Sequence, residues 1–245
     1  MLEGLNIAAA GMAAQQQRLD AVSNDLANAN TNGYKHTRVG FRDLVYTQAG
    51  RSSAQGVQTG AGAAAVDVGR GFAQGVLRNT GEPLDLAIEG EGFLQVRLPD
   101  GRTGLTRDGN LHRDAQGRLT NASGDLIQPT VTIPVDVPLS KVAIATDGTV
   151  TANGRNVGRL NIVTVRSPQG LESAGDNAFV ATATSGRPTA APAATRVLQG
   201  ALEASNVDVS EAMVSMIEAQ RSFQLASKAI QTADQMMEIA NGVKR

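Results

Sequence analysis

Apolar residues recur every seventh position at both ends of the chain and every second position in its middle. Near the N-terminus Leu5, Met12, Leu19 and Leu26 are seven apart, and Ala8, Val22 and Ala29 each follow a member of that series by three. This spacing predicts an amphipathic helix over residues 3–29. The pattern breaks in NDLANANTNGYK, Asn24–Lys35. Asn amides compete for backbone groups and tolerate the left-handed conformation, and Gly adopts it without steric cost. The stretch reads as a helix stop and a shaped turn through Asn28–Gly33.

The C-terminal pattern is longer. Val209, Met216, Phe223, Ile230 and Met237 are seven apart, and Ala212, Ala219, Ala226, Ala233 and Ala240 each follow by three. Five heptads predict a helix roughly 50 Å long. Asp208 with Glu211 is a helix start, and Gly242, Lys244 and Arg245 suit a helix end. The positions flanking the seam (Met213, Ser215, Gln220, Ser222, Ser227, Ala229, Asp234 and Met236) carry a single charge. Apolar residues also occupy other faces, at Val214, Ile217, Leu225 and Ile239. A helix apolar on several faces expects several neighbours.

Between the helices the period falls to two. Phe93–Leu98, Lys141–Ala145 and Leu160–Val165 alternate, and Asp100-Gly101, Asp108-Gly109, Asp147-Gly148 and Asn153-Gly154 fall between such runs. Asp-Gly and Asn-Gly favour tight hairpins, so residues 75–181 read as antiparallel β. The predicted class is α+β: long N- and C-terminal helices paired in a coiled-coil-like helical domain, with a central antiparallel all-β domain. The boundaries are 1–45 for the N-terminal helix and turn, 46–74 for an extended or loop segment, 75–200 for the β-rich domain with an Ala/Pro/Thr loop at 181–195, and 201–245 for the C-terminal helix.

Charge and composition narrow the chemistry. There are 22 Lys and Arg against 23 Asp and Glu, a net charge of −1, which offers no electrostatic case for a nucleic-acid partner. Cys is absent, which excludes disulfides and thiolate metal sites. The first basic residue is Arg18 and Glu3 comes early, so no cleaved secretory signal is expected. No apolar run approaches the roughly 20 residues of a membrane span, so no direct membrane insertion is expected.

Motifs that could carry catalysis are weak. Gly60, Gly62 and Ala65 spell a dinucleotide fingerprint variant, but no βαβ pattern surrounds them. His36 and His112 are the only histidines and lie far apart. Asp108–Asp114 is too loose for a calcium loop. No enzyme, cofactor or metal is expected. A monomeric β-domain binding a ligand such as a cell-wall glycan would want aromatic platforms, and the chain has five Phe and two Tyr.

The helices leave two readings open. They could pack inside one globular monomer, or pair and then be covered by further copies of the chain. The sparse charge and the many apolar faces favour assembly. The candidate packing residues are Leu5, Met12, Leu19, Val22 and Leu26 on the first helix. On the second they are Val209, Met216, Phe223, Ile230 and Met237 with Ala212, Ala219, Ala226 and Ala233. Phe41, Leu44 and Tyr46 would dock the segment that follows the turn.

The residues from Ala13 to Tyr46, including Leu19, Asn24, Leu26, Ala27, Asn28, Thr31, Gly33, Tyr34 and Lys35, resemble the signature of the bacterial flagellar axial proteins of the rod and hook class. The similarity continues through Pro83–Pro129 and Leu202–Met237 and so covers nearly the whole chain. It is nearest to the distal rod members, with proximal rod or hook-like members as rivals. Ala226 stands where an Asn is usual, and segment 47–65 is short for a distal rod member.

The resemblance implies a helical domain made from both termini and a β-domain from the middle. It implies type III export without a cleaved signal, and helical polymerisation into a hollow shaft of the basal body, outside the cytoplasmic membrane, that transmits torque from motor to hook. It implies as partners other copies of the chain, other rod and hook proteins, the export apparatus and the bushing rings. It also implies a signature turn at Asn24, Asn28, Thr31, Gly33, Tyr34 and Lys35.

Overall fold

A computed structural model describes residues 2–44, 47–48, 58–59 and 62–242. Tyr46, Gly60, Lys244 and Arg245 lie outside the described residues. The architecture is α+β, with a helix toward each end and antiparallel strands between them. The chain divides into two compact units, one drawn from residues 1–27, 37–68 and 208–245, the other from 28–36 and 69–207.

The first unit is built on two helices that pack together, α1 (Leu2–Ala27) and α2 (Val209–Gly242). Leu5, Met12, Leu19 and Leu26 are partly buried, as are Met216, Ile230 and Met237. Each helix is most deeply buried at an alanine, Ala14 and Ala219. Alanine lets backbones approach closely while burying little area of its own. Arg18 Nη2 reaches Glu218 Oε2 at 3.3 Å between the two helices. The start of α2 is capped by Asp208, whose Oδ1 accepts from Ser210 N–H at 2.8 Å and Glu211 N–H at 3.1 Å. After α1, Thr37–Asp43 forms a strand beside Ala63–Arg70, and Thr47–Gln48 pairs with Gln58–Thr59. The buried carboxylate of Asp25 accepts Thr37 N–H at 3.0 Å, fastening that strand to the end of α1.

The second unit is β-rich. Its main sheet runs in the order Glu172–Gly175, Ala178–Val180, Thr103–Thr106, Phe93–Arg97, Leu126–Gln128, Leu119–Thr120, His112–Arg113, all antiparallel. Val142–Ile144, Thr149–Ala152 and Arg155–Arg159 form a separate three-stranded sheet. Two further pairs join distant parts of the chain: Leu86–Glu89 with Arg196–Gln199, and Leu77–Asn79 with Ala201–Glu203. The Phe93–Arg97 strand shows the alternation at work. Leu94 and Val96 enter a large aliphatic core with Leu86, Ile127, Val150 and Leu160. Phe93 enters a smaller one with Leu105, Val163 and Phe179. There Phe72, Phe93 and Phe179 meet edge to face with ring centroids 5.3–6.4 Å apart.

Several boundaries differ from those read off the sequence. The first helix ends at Ala27 rather than Ala29. Residues 201–203, assigned to the C-terminal helix, are a buried strand, and the helix begins only at Val209. A three-residue strand is too short to show a period. Ala63–Arg70 is a strand inside the segment read as extended or loop, and Thr189–Ala190 is a strand inside the Ala/Pro/Thr loop. Asn28–His36 sits in the β-rich unit rather than with the helices. The four expected turn glycines also divide. Gly101, Gly148 and Gly154 have positive φ, but Gly109 is not among the positive-φ residues. A Cβ there would lie 1.7 Å from Leu86 O, so close backbone approach is what demands glycine at Gly109.

Candidate assembly sites

Two arrangements stand out, one in each unit. In the helical unit, α2 packs against α1, and the side of α2 opposite its heptad positions carries exposed apolar residues interspersed with polar ones such as Arg221, Lys228 and Gln235. Met213, Val214, Ile217, Leu225, Met236 and Ile239 are all exposed, Leu225 at 70% and Ile239 at 67%. At 3.6 residues per turn, these six fall in an arc of roughly 140° centred opposite the heptad seam. Val209 and Phe223 on the seam also remain exposed at its edge. Exposed apolar side chains in such number on one helix are the mark of an interaction surface.

In the β-rich unit, the turn after α1 ends in a buried ion cluster. The local sequence makes the turn. Thr31 N–H donates to Asn28 O at 3.0 Å, the Thr31 hydroxyl meets Asn28 Oδ1 at 3.2 Å, and Tyr34 N–H donates to Thr31 O at 3.3 Å. Gly33 takes φ +68°, and a Cβ on it would lie 2.6 Å from the backbone of Arg107 and Asp108. The turn is therefore fixed both by its conformation and by the lack of space around it.

Lys35 follows, wholly buried at 0% exposure, with Glu203 at 1% and Arg107 at 6%. Lys35 Nζ donates to Glu203 Oε1 at 2.6 Å and to Ala73 O at 2.8 Å. Arg107 Nη1 donates to Glu203 Oε2 at 3.1 Å and Nη2 to Gly90 O at 2.8 Å. Gly75 N–H adds a third donor to the carboxylate at 2.8 Å. The Arg107 guanidinium lies 5.4 Å from the centre of the Phe93 ring. Two cations share one anion where water is excluded. Burial lowers the pKa of Lys35 from its ordinary value, Glu203 opposes that shift, and Arg107 adds to it. The Arg70 guanidinium lies 5.4 Å from the centre of the Tyr34 ring and 5.6 Å from that of Phe179.

The expected turn residues are thus distributed. Gly33, Tyr34 and Lys35 are buried, Asn28 and Thr31 are half-buried, and Asn24 is exposed on α1. Among the packing residues, Val22, Ala212, Ala226 and Ala233 are partly buried and Ala219 is fully so. Phe41 is exposed and Leu44 half-buried. Glu203, Arg107, Arg70, Asp25 and Asn206 were not anticipated. No signal along the chain marks them, because charged and amide side chains are ordinarily exposed, and most of their partners here are remote in sequence. Among the described residues, no helix is long and apolar enough to cross a membrane, and no cluster of His, Asp or Glu is placed to hold a metal.

Comparison with known proteins bears on both arrangements. Residues 5–35 match the family described as flagella basal body rod protein, which spans most of α1 and the turn to Lys35. Residues 87–152 match the flagellar hook protein FlgE/F/G D1 domain, and residues 198–243 match the flagellar basal body rod FlgEFG protein C-terminal family, which takes in Glu203 and α2. The flagellar basal-body rod protein FlgG of Caulobacter vibrioides is 39% identical over 99% of this chain and 100% of its own length. FlgG of Borreliella burgdorferi is 38% identical over 100% of both chains. FlgG of Buchnera aphidicola subsp. Schizaphis graminum is 40% identical over 97% of this chain and 98% of its own.

Proposed function

From the premise that the chain belongs to the flagellar basal-body rod protein family, we propose how it works as a structural subunit of the distal rod. It is a component of the flagellar basal body, assembled outside the cytoplasmic membrane, in a family that is structural rather than enzymatic. The proximal rod is the nearest alternative position.

One observation carries the mechanism: opposite its heptad positions α2 exposes Met213, Val214, Ile217, Leu225, Met236 and Ile239, interspersed with polar residues. Copies of the chain cover that face as they polymerise helically into a hollow shaft. Leu5, Met12, Leu19, Val22 and Leu26 pair in coiled-coil fashion with Val209, Met216, Phe223, Ile230 and Met237. The alanines at Ala212, Ala219, Ala226 and Ala233 set the close spacing. The terminal helices form one domain of the subunit and the central strands the other, and the signature turn from Asn24 to Lys35 directs the chain between them. Subunits reach the growing tip through the type III export apparatus, meet other rod and hook proteins at the ends of the segment, and turn within the bushing rings. No cofactor takes part.

The test is electron microscopy of the purified full-length protein beside Leu225→Glu and Ile239→Glu variants. Both side chains are exposed, so each variant should keep the monomer's stability within about 0.5 kcal/mol. Tubes from the wild type and monomers from the variants are expected. Tubes from all three would sink the assignment of this face to assembly. Deleting 1–45 and 201–245 is a poorer test, because it also removes Lys35 and Glu203 from the β-rich unit.

A further inference from the structure

The chain passes between its two units four times, after residues 27, 36, 68 and 207. Within the β-rich unit, three stretches carry those passages: Asn28–His36, the run starting at Gly69, and the run ending at Val207. All three meet in one knot of hydrogen bonds.

The backbone makes the first set of links. Gly33 N–H donates to Glu203 O at 2.8 Å and Asn206 N–H to Tyr34 O at 3.3 Å. Gly71 N–H donates to His36 O at 2.9 Å, and Ala204 N–H to Val76 O at 2.9 Å. Side chains double every link. Lys35 Nζ binds Glu203 Oε1, Arg70 Nη1 donates to Lys35 O at 2.9 Å, and Gly75 N–H donates to Glu203 Oε1 at 2.8 Å. The Asn206 amide accepts His36 N–H at 2.8 Å and donates to Gly71 O at 2.6 Å and Ala73 O at 3.1 Å. Each pair of stretches is therefore joined both by backbone and by side chain.

We propose that this knot is a mechanical clasp with the Lys35–Glu203 pair at its centre, closing the intervening chain into a loop. Tension entering from the two terminal helices crosses directly between Gly33–His36 and Glu203–Asn206. It does not run through the sheets that lie between them in sequence. The links at this crossing act in parallel, so they share the load, and the central Lys35–Glu203 link is shielded from competing water. The use of such a clasp in a rotating shaft rests on the rod reading. The clasp itself does not.

The test pulls single full-length monomers by their termini in an optical trap. The helices peel first. The clasp then opens as a distinct step, and only afterwards is the chain between Lys35 and Glu203 drawn out. Those positions are 168 residues apart, so the later steps should total about 55–60 nm. Glu203→Gln should open the clasp step roughly a hundredfold faster at a given force, as removing one partner of a buried ion pair does. It should leave the later core steps and the total length unchanged. Val150→Ala, a truncation in the aliphatic core, should weaken a core step and leave the clasp step alone. An unchanged clasp step in Glu203→Gln, or equal weakening of every step in either variant, would overturn the proposal. A clasp that behaves as expected in a protein that forms no tubes would keep this proposal and remove the rod mechanism instead.

Discussion

Lys35 and Glu203 stand 168 positions apart in the chain, and their charged atoms lie 2.6 Å apart in a site closed to water. The pair joins the turn after the first helix to the strand before the second. Glu203 also holds Arg107, so a single carboxylate answers two buried cations.

That asymmetry ranks two substitutions. Glu203→Leu strands both Lys35 and Arg107 without a counter-charge and should cost about 3–5 kcal/mol of unfolding free energy. Lys35→Met leaves Glu203 bound to Arg107 and to Gly75 N–H, and it replaces the cation with an apolar chain of similar reach. Its cost should be smaller, on the order of 1–2 kcal/mol. Urea unfolding of the full chain measures both. Equal losses, or a worse Lys35 variant, would show that the network is not centred on Glu203.

The turn offers a second comparison. Gly33 and Gly81 both have positive φ, +68° and +75°. An added Cβ at Gly81 meets nothing within 4 Å, whereas at Gly33 it lies 2.6 Å from backbone atoms of Arg107 and Asp108. Gly81→Ala should therefore lose only the conformational share, about 1–2 kcal/mol. Gly33→Ala adds displacement of rigid backbone and should lose clearly more. Thermal melts of the two variants decide this, and similar melting points would mean that the Arg107 backbone yields easily.

Acid sensitivity follows from exposed turn aspartates. Backbone N–H donation from Thr149, at 3.0 Å, is the main reason the Asp147 carboxyl is held below the ordinary carboxylate value, with the Thr149 hydroxyl adding to it. Asp100 is lowered in the same direction, first by Arg102 N–H and then by its guanidinium. A carboxyl with a depressed folded pKa binds fewer protons than it does in the unfolded chain. Its stabilisation is therefore present above the unfolded value of 3.8 and is lost as pH falls through the lower folded one. An Asp100→Asn/Asp147→Asn double variant should show a shallower fall in stability between pH 6 and 2. A slope equal to that of the wild type would remove these two groups as its source.

The two helices and the β-rich middle were legible along the chain for a local reason. Residues seven apart share a helix face whatever that face meets, and Val209 to Met237 place five apolar residues at this spacing. Asn153-Gly154 likewise favours its hairpin through its own backbone preferences. The face of α2 opposite its seam was legible as surplus apolarity at Ile217 and Leu225. Lys35 was visible as part of a signature, but its burial was not.

Only the tertiary structure decided the rest. Asp108-Gly109 has the composition of a turn, yet its glycine answers to a carbonyl at Leu86. Glu203 has the composition of a solvated residue, yet it is enclosed because Lys35, Arg107 and Gly75 arrive from three other parts of the chain. A residue's own preferences and its near neighbours determine helix, strand and turn. Whether a charge can be buried depends on partners that only the completed fold brings within reach, and for Glu203 the two cations lie 96 and 168 residues away.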